Sequence, residues 1–190
     1  MEEKQTGPLA PEISAEEPLE LPGEAVERIL SFHCPRYGEL PSIELYLDQV
    51  IRIINDALAI FAADDGEKLI TGAMINNYVK QKVVPPPRRK LYDRSQLTRL
   101  LVVAILKQVF AIPEISRLFE VQQATYPLEK AYDFFCAELE NALRATFDRE
   151  SGDMPSLESK RTAQTELLRS MVLAVANKTY VQAYVRLVRP

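Results

Sequence analysis

Residues 68–110 read KLITGAMINNYVKQKVVPPPRRKLYDRSQLTRLLVVAILKQVF. Nine Lys and Arg side chains stand here against one acid, Asp93, a formal charge of +8. The whole chain carries −4, so everything outside this stretch carries −12. A basic block inside an acidic protein points to a polyanionic partner.

The block also has an internal order. Thr71 is placed to cap a helix over roughly 72–82. At 100° per residue Met74, Ile75, Tyr78 and Val79 share one arc, while Asn76, Asn77 and Lys80 share the opposite one. Three consecutive prolines then remove three N–H donors and favour extended backbone, so no helix passes through VVPPPRRKLY. A short hairpin or wing-like loop with a basic tip is expected there. Asp93 and Gln96 have the spacing of a capping box and open another helix. From Leu100 to Leu106 that helix is apolar on nearly every side, which marks it as the central buried helix.

Working outward, Pro113 sits in the first turn of a short helix over 111–120 that buries Ile115, Leu118 and Phe119. In 127–147, Leu128, Tyr132, Phe135, Leu139, Ala142 and Thr146 step by four and three. This is a heptad-like seam that permits a homodimer without requiring one. SGDMPS at 151–156 breaks the chain before a long helix over about 157–188. Its expected apolar face is Leu168, Met171, Val172, Val175, Val181, Tyr184, Val185 and Val188. Toward the N-terminus, Ser42 is placed to cap a helix of about 20 residues. Its stripe is Ile43, Leu47, Val50, Ile51, Ile54, Leu58 and Phe61, and ADDGE at 63–67 ends it. Residues 33–41 read as a turn-rich connector, and 23–32 as a short helix.

Composition excludes several classes. With 190 residues at 47% hydrophobic, one good core or one core plus a helical appendage is within reach. No run of 18 apolar residues is present, so no membrane span is expected. The acidic, proline-rich residues 1–22 lack the apolar centre of a signal peptide and read as a disordered tail. Cys34 and Cys136 lie far apart in sequence, which argues against a disulfide framework and for a reducing, cytoplasmic setting. His33 and Cys34 with one distant cysteine are too few for a metal site. One histidine and six glycines leave little material for His-based catalysis or phosphate loops. The reading is therefore non-enzymatic, with no cofactor.

The order short helix, basic proline-rich loop, Tyr, long helix, short helix resembles the winged helix-turn-helix of the mercury-resistance-regulator (MerR) family of bacterial transcription factors. Thr71 matches that family's leading Thr and Tyr78 its helix aromatic. Val83 and Val84 match the hydrophobic pair of the loop, and Arg88, Arg89 and Lys90 its basic wing. Tyr92 and Asp93 match the Tyr-acid step. Leu97, Leu100 and Val103 match the next helix, and Glu114 and Ile115 the short one. The run from ELPSIELYLDQV through TGAMINNYVKQKVVPPPRRKLY to LKQVFAIPEI is also similar to a bacterial domain family of unknown function related to that fold.

The expectation is a mainly α protein in which a MerR-like winged helix-turn-helix module is embedded in an all-helical domain, with two long C-terminal helices. The tail would span 1–22. The helical domain would span 23–120 with the module at 68–120, and the helical pair 121–190. The resemblance implies a transcriptional regulator that binds double-stranded DNA, its candidate contacts being Thr71, Asn76, Asn77, Lys80, Lys82, Arg88, Arg89, Lys90 and Tyr92. Asn reads adenine in the major groove, and Lys and Arg reach guanine or phosphate. Tyr78 shares the apolar arc and is read as core. The alternative is a non-catalytic helical module that keeps the fold and binds a partner protein.

Overall fold

A computed structural model of the chain describes residues 21–62, 66–148 and 162–188. The expected tail at 1–20, the start of ADDGE at 63–65 and the break at 149–161 lie outside the described residues. The fold is mainly helical, with two short strands. Helix α1 spans Gly23–Leu30, strand β1 Leu45–Tyr46, α2 Leu47–Ala57, α3 Gly72–Lys80 and β2 Leu91–Tyr92. Helices α4 (Arg94–Leu106), α5 (Ile112–Thr125), α6 (Leu128–Phe147) and α7 (Ala163–Val188) complete it.

Helix α4 is the centre, as its sequence demands. Every residue from Gln96 to Leu106 except the half-buried Arg99 is buried. Its one buried hydroxyl, on Thr98, donates to the Arg94 carbonyl one turn back at 2.8 Å, so no polar group is stranded. A single continuous apolar core runs through it, from Ile29 in α1 to Ala176 in α7.

The helix expected from Ser42 does not form as one element. Leu45 and Tyr46 leave the helical path and pair antiparallel with β2, in the register Leu45↔Tyr92 and Tyr46↔Leu91. Helix α2 therefore begins at Leu47, with the Tyr46 N–H donating to Gln49 Oε1 at 2.8 Å. Ser42 caps nothing, and Ile43 is 68% exposed. The backbone bonds of the ladder win over a helical turn because they also bury Leu45 and Tyr92. Helix α2 ends at Ala57, and Leu58 and Phe61 reach the core through a 3-10 turn over Ala59–Phe61. Helix α5 runs past the expected residue 120 to Thr125. It buries Ile115 fully, while Leu118 and Phe119 stay half-buried.

Helices α6 and α7 pack in parallel. Glu138 of α6 holds Arg169 of α7 through both carboxylate oxygens, at 3.2 and 3.3 Å. Farther along both helices, Phe147 meets Tyr180 edge-on with ring centres 5.2 Å apart. The heptad-like seam of α6 is therefore filled from within the chain. The α7 face also departs from expectation. Met171, Val172 and Val175 are buried, but Val181 and Val185 are 58% and 49% exposed. Ala176, Thr179, Tyr180 and Ala183 take their place against the core. A straight helix drifts relative to a seven-residue repeat, so the contact stripe rotates along a 26-residue helix.

The connector at 33–41 does more than turn. Cys34 is fully buried, and its N–H donates to Glu140 Oε1 at 2.9 Å. Arg36 grips Glu140 with two N–H···O bonds of 2.8 and 2.7 Å, and His33 Nδ1 lies 3.3 Å from the same carboxylate. Tyr37 N–H donates to Asp133 at 2.7 Å, and the Tyr132 hydroxyl donates to the Pro35 carbonyl at 2.9 Å. Burial pushes the Glu140 carboxyl up, but the Arg36 guanidinium and the Cys34 N–H outweigh it and hold the group below its ordinary 4.5. A depressed folded value means that the stability it lends is present above the unfolded value. That stability is lost as pH falls through the folded one. Glu140→Gln is expected to cost about 3 kcal/mol in urea unfolding at pH 7. The gap to wild type should close as the pH is lowered through the folded value. A gap independent of pH would remove the carboxylate from this role.

Candidate nucleic-acid interface

Thr71 starts α3 as expected, its Oγ1 accepting the Met74 N–H at 3.3 Å. Asn55 of α2 fixes the approach to this helix: its side chain donates to the Ile70 carbonyl at 3.0 Å and accepts the Ile70 N–H at 3.2 Å. Ile75 and Tyr78 are buried and Met74 and Val79 half-buried, so the opposite arc faces solvent. Ala73, Asn76, Asn77 and Lys80 are all exposed on it. Tyr78 is 4% exposed and belongs to the core.

The end of α3 is a Schellman motif. The Val83 N–H bonds back to the Tyr78 carbonyl and the Lys82 N–H to the Val79 carbonyl, both at 3.0 Å. Val83 and Tyr78 are the buried apolar pair that accompanies such an end. The motif requires a left-handed residue after the cap, usually glycine. Lys82 fills it, at φ 59°.

The basic loop is a tight reversal. Arg88 N–H donates to the Leu91 carbonyl at 3.1 Å, and Leu91 N–H to the Arg88 carbonyl at 2.9 Å. Arg89 and Lys90 between them have φ of 50° and 67°. Two central residues at positive φ suit a type I′ turn, which favours Asn-Gly. The reversal lays Arg88 against Leu91, and β2 in turn pairs with β1. Gln96 holds its base: Oε1 accepts the Asp93 N–H, and Nε2 donates to the Pro85 carbonyl, each at 2.9 Å. Gln96 N–H closes the capping box on Asp93 Oδ1 at 2.8 Å.

Lys80, Lys82, Arg88, Arg89 and Lys90 are exposed, and none pairs with a carboxylate among the described residues. The fold thus brings Asn76, Asn77 and Lys80 onto one helix face and places the other four cations at the two reversals that follow. Thr71 is half-buried and occupied as a cap. Tyr92 is 3% exposed and braces the loop from the core side, with burial raising its phenol. The left-handed backbone at Lys82, Arg89 and Lys90 has no helical or strand period to mark it in the sequence; its one local sign is a basic residue where a turn favours glycine.

Cys34 and Cys136, distant in sequence, meet in the core. Both are free and fully buried. The Cys136 side chain and burial together push the Cys34 thiol up, away from a reactive thiolate. Among the described residues no group of three or more His, Cys, Asp or Glu is placed to hold a metal ion. No described helix is long and apolar enough to cross a membrane.

A family model described as "Domain of unknown function (DUF1836)" matches residues 35–135, just over half of the chain. The chain belongs to this family. No curated protein matches it, and neither does any solved structure. The matched region runs from the connector into α6 and contains the whole of α3, the basic reversal and α4.

Gln96→Leu would leave the Pro85 carbonyl and the Asp93 N–H without partners at no change in charge. The expected cost is about 2 kcal/mol in urea unfolding. Amide exchange at Arg88 and Leu91 should accelerate while α6 amides hold their rates. Uniform acceleration through α6 would show that Gln96 supports the whole core rather than the loop.

Proposed function

We propose that the chain is a non-catalytic duplex-DNA-binding protein, a transcriptional regulator. Helix α3 enters the major groove and the basic reversal lies on the phosphate backbone, in the manner of a MerR-like winged helix-turn-helix. The observation that carries this reading is the coincidence of strain and charge. Among the described residues the non-glycine residues at positive φ are Lys82, Arg89 and Lys90. Each left-handed non-glycine residue costs on the order of 1 kcal/mol, and such outliers cluster at functional sites. Glycine or asparagine would relieve all three, whereas Lys and Arg add a positive charge at each of these turns. The sequence of elements strand, helix, helix, reversal and strand from β1 to β2 supports the winged arrangement. Asn76 and Asn77 have the chemistry to read adenine edges, and Lys80 to reach phosphate or guanine.

A second reading, a helical module that binds a partner protein, is favoured by the exposed Leu173, Val181 and Val185 along α7. Salt separates the two. Anisotropy of a labelled duplex, titrated at several salt concentrations, should give a slope of log K on log salt of about −4.5 if all five cations neutralise phosphates. Absence of duplex binding by folded protein at low salt would leave the partner-protein reading. Arg88→Glu with Arg89→Glu should abolish binding.

The strain makes a sharper test. Lys82→Gly should raise stability by about 1 kcal/mol, and separately Arg89→Asn with Lys90→Gly by about 2 kcal/mol. They should also flatten the salt slope by about one and about two respectively. Stabilised variants with unchanged DNA affinity would detach these residues from the phosphates.

A further inference from the structure

A half-open cleft lies among α4, α5, α6 and α7, with no residue of α2 in its lining. Its walls are apolar, with Val102, Leu118, Phe119, Phe135 and Leu168 among them. It encloses about 130 Å³. Cavities of roughly 150 Å³ with apolar walls take up benzene, so the volume admits one aromatic ring or a short aliphatic chain.

Two polar groups at this cleft are incompletely matched: among the described residues Arg99 has no counter-charge, and Gln122 Oε1 has no donor. Arg99 of α4 lines it, half-buried, with its guanidinium 5.0 Å from the centre of the Phe119 ring. Burial depresses its pKa. Its polar partner is neutral: the Gln123 amide, turned with its oxygen inward, accepts from the guanidinium. Among the described residues no carboxylate pairs with it. A partly desolvated guanidinium in an apolar wall is a receptor for a planar anion, which it engages through two parallel N–H···O bonds. The second group is Gln122, which also lines the cleft. Its Nε2 donates to the Tyr126 carbonyl at 2.8 Å, while its Oε1 is buried with no donor.

We propose that this cleft binds a small carboxylic acid with an apolar body, of benzoate or hexanoate size. Its carboxylate sits on Arg99 and its body among Leu118, Phe135 and Leu168. A hydroxyl or N–H on that body would satisfy Gln122. The site is separate from the basic face of α3 and does not rest on DNA binding.

The test uses the full chain and three probes, benzoate, hexanoate and benzyl alcohol, followed by calorimetry and by methyl NMR. Both acids are expected to bind, with benzoate at least about tenfold tighter than the uncharged benzyl alcohol. Shifts should centre on the Leu118, Leu168 and Met171 methyls. Arg99→Met keeps the stem packed against Phe119 and should bring acid and alcohol to equal affinity. Leu118→Trp fills the cleft and should abolish binding of both. The inference is overturned if neither acid binds at millimolar concentration, or if acid and alcohol bind wild type alike. It also fails if the shifts lie elsewhere, or if folded Arg99→Met keeps the preference. The comparison of acid with alcohol on wild type needs no variant to fold.

Discussion

Helix α4 is buried on nearly every side, with Arg99 the half-buried exception past its first turn, and the rest of the molecule is arranged around that fact. A helix apolar on all sides must be covered on all sides, so the chain builds outward from it in every direction. Its N-terminus stands directly behind the basic reversal, through Asp93 and Gln96. Its flank at Thr98, Val102 and Leu106 faces α5, α6 and α7 across the half-open cleft. One rigid element therefore carries the base of the proposed DNA-binding loop and a wall of the proposed ligand site.

The chemistry is segregated accordingly. Ionic pairs with good geometry, Arg36–Glu140 and Arg169–Glu138, tie α6 to the elements on either side of it. The cations of 80–90 are left without such partners. Charges that serve the fold are neutralised at short range, whereas those of the basic face are held in place by backbone alone. The Schellman end of α3 and the reversal at 88–91 are backbone devices that present side chains while engaging none of them. Strain accumulates at Lys82, Arg89 and Lys90 because the neighbouring contacts, Val83 on Tyr78 and β2 on β1, fix the backbone whatever residue sits there.

Signals that close within one or two helical turns were readable in the chain. Thr71 as a cap, the Asp93–Gln96 box, the two arcs of α3 and the all-round burial of α4 each depend on residues three or four apart. Features set by distant partners are not legible in this way. Leu45 and Tyr46 lie between Ile43 and Leu47 of an apparent helical stripe, and only their pairing with Leu91 and Tyr92 takes them out of the helix. The clasp of Cys34 and Arg36 on Glu140 joins positions about a hundred residues apart that no local pattern links. Val181 and Val185 fit the period of α7, but the stripe rotates away under the packing of α6. At the candidate interface, charge and arc were visible while left-handed backbone was not, because Lys and Arg advertise no preference for it.

Parallel packing of α6 and α7, together with the clasp from residue 36 to residue 140, bears on how quickly the molecule can assemble. Neighbouring antiparallel helices meet through a short turn, but two parallel ones must wait for the chain to travel back along their length. Closing a loop of about a hundred residues costs about 4 kcal/mol in the length-dependent part of chain entropy, before the contacts it makes are gained. Such distant contacts raise the contact order above that of an up-and-down bundle of the same size, beside which folding should be slow. Helices α3 and α4 can form early on local signals. The connector at 33–41 can dock only once α6 exists, since its partners Tyr132, Asp133 and Glu140 all lie there.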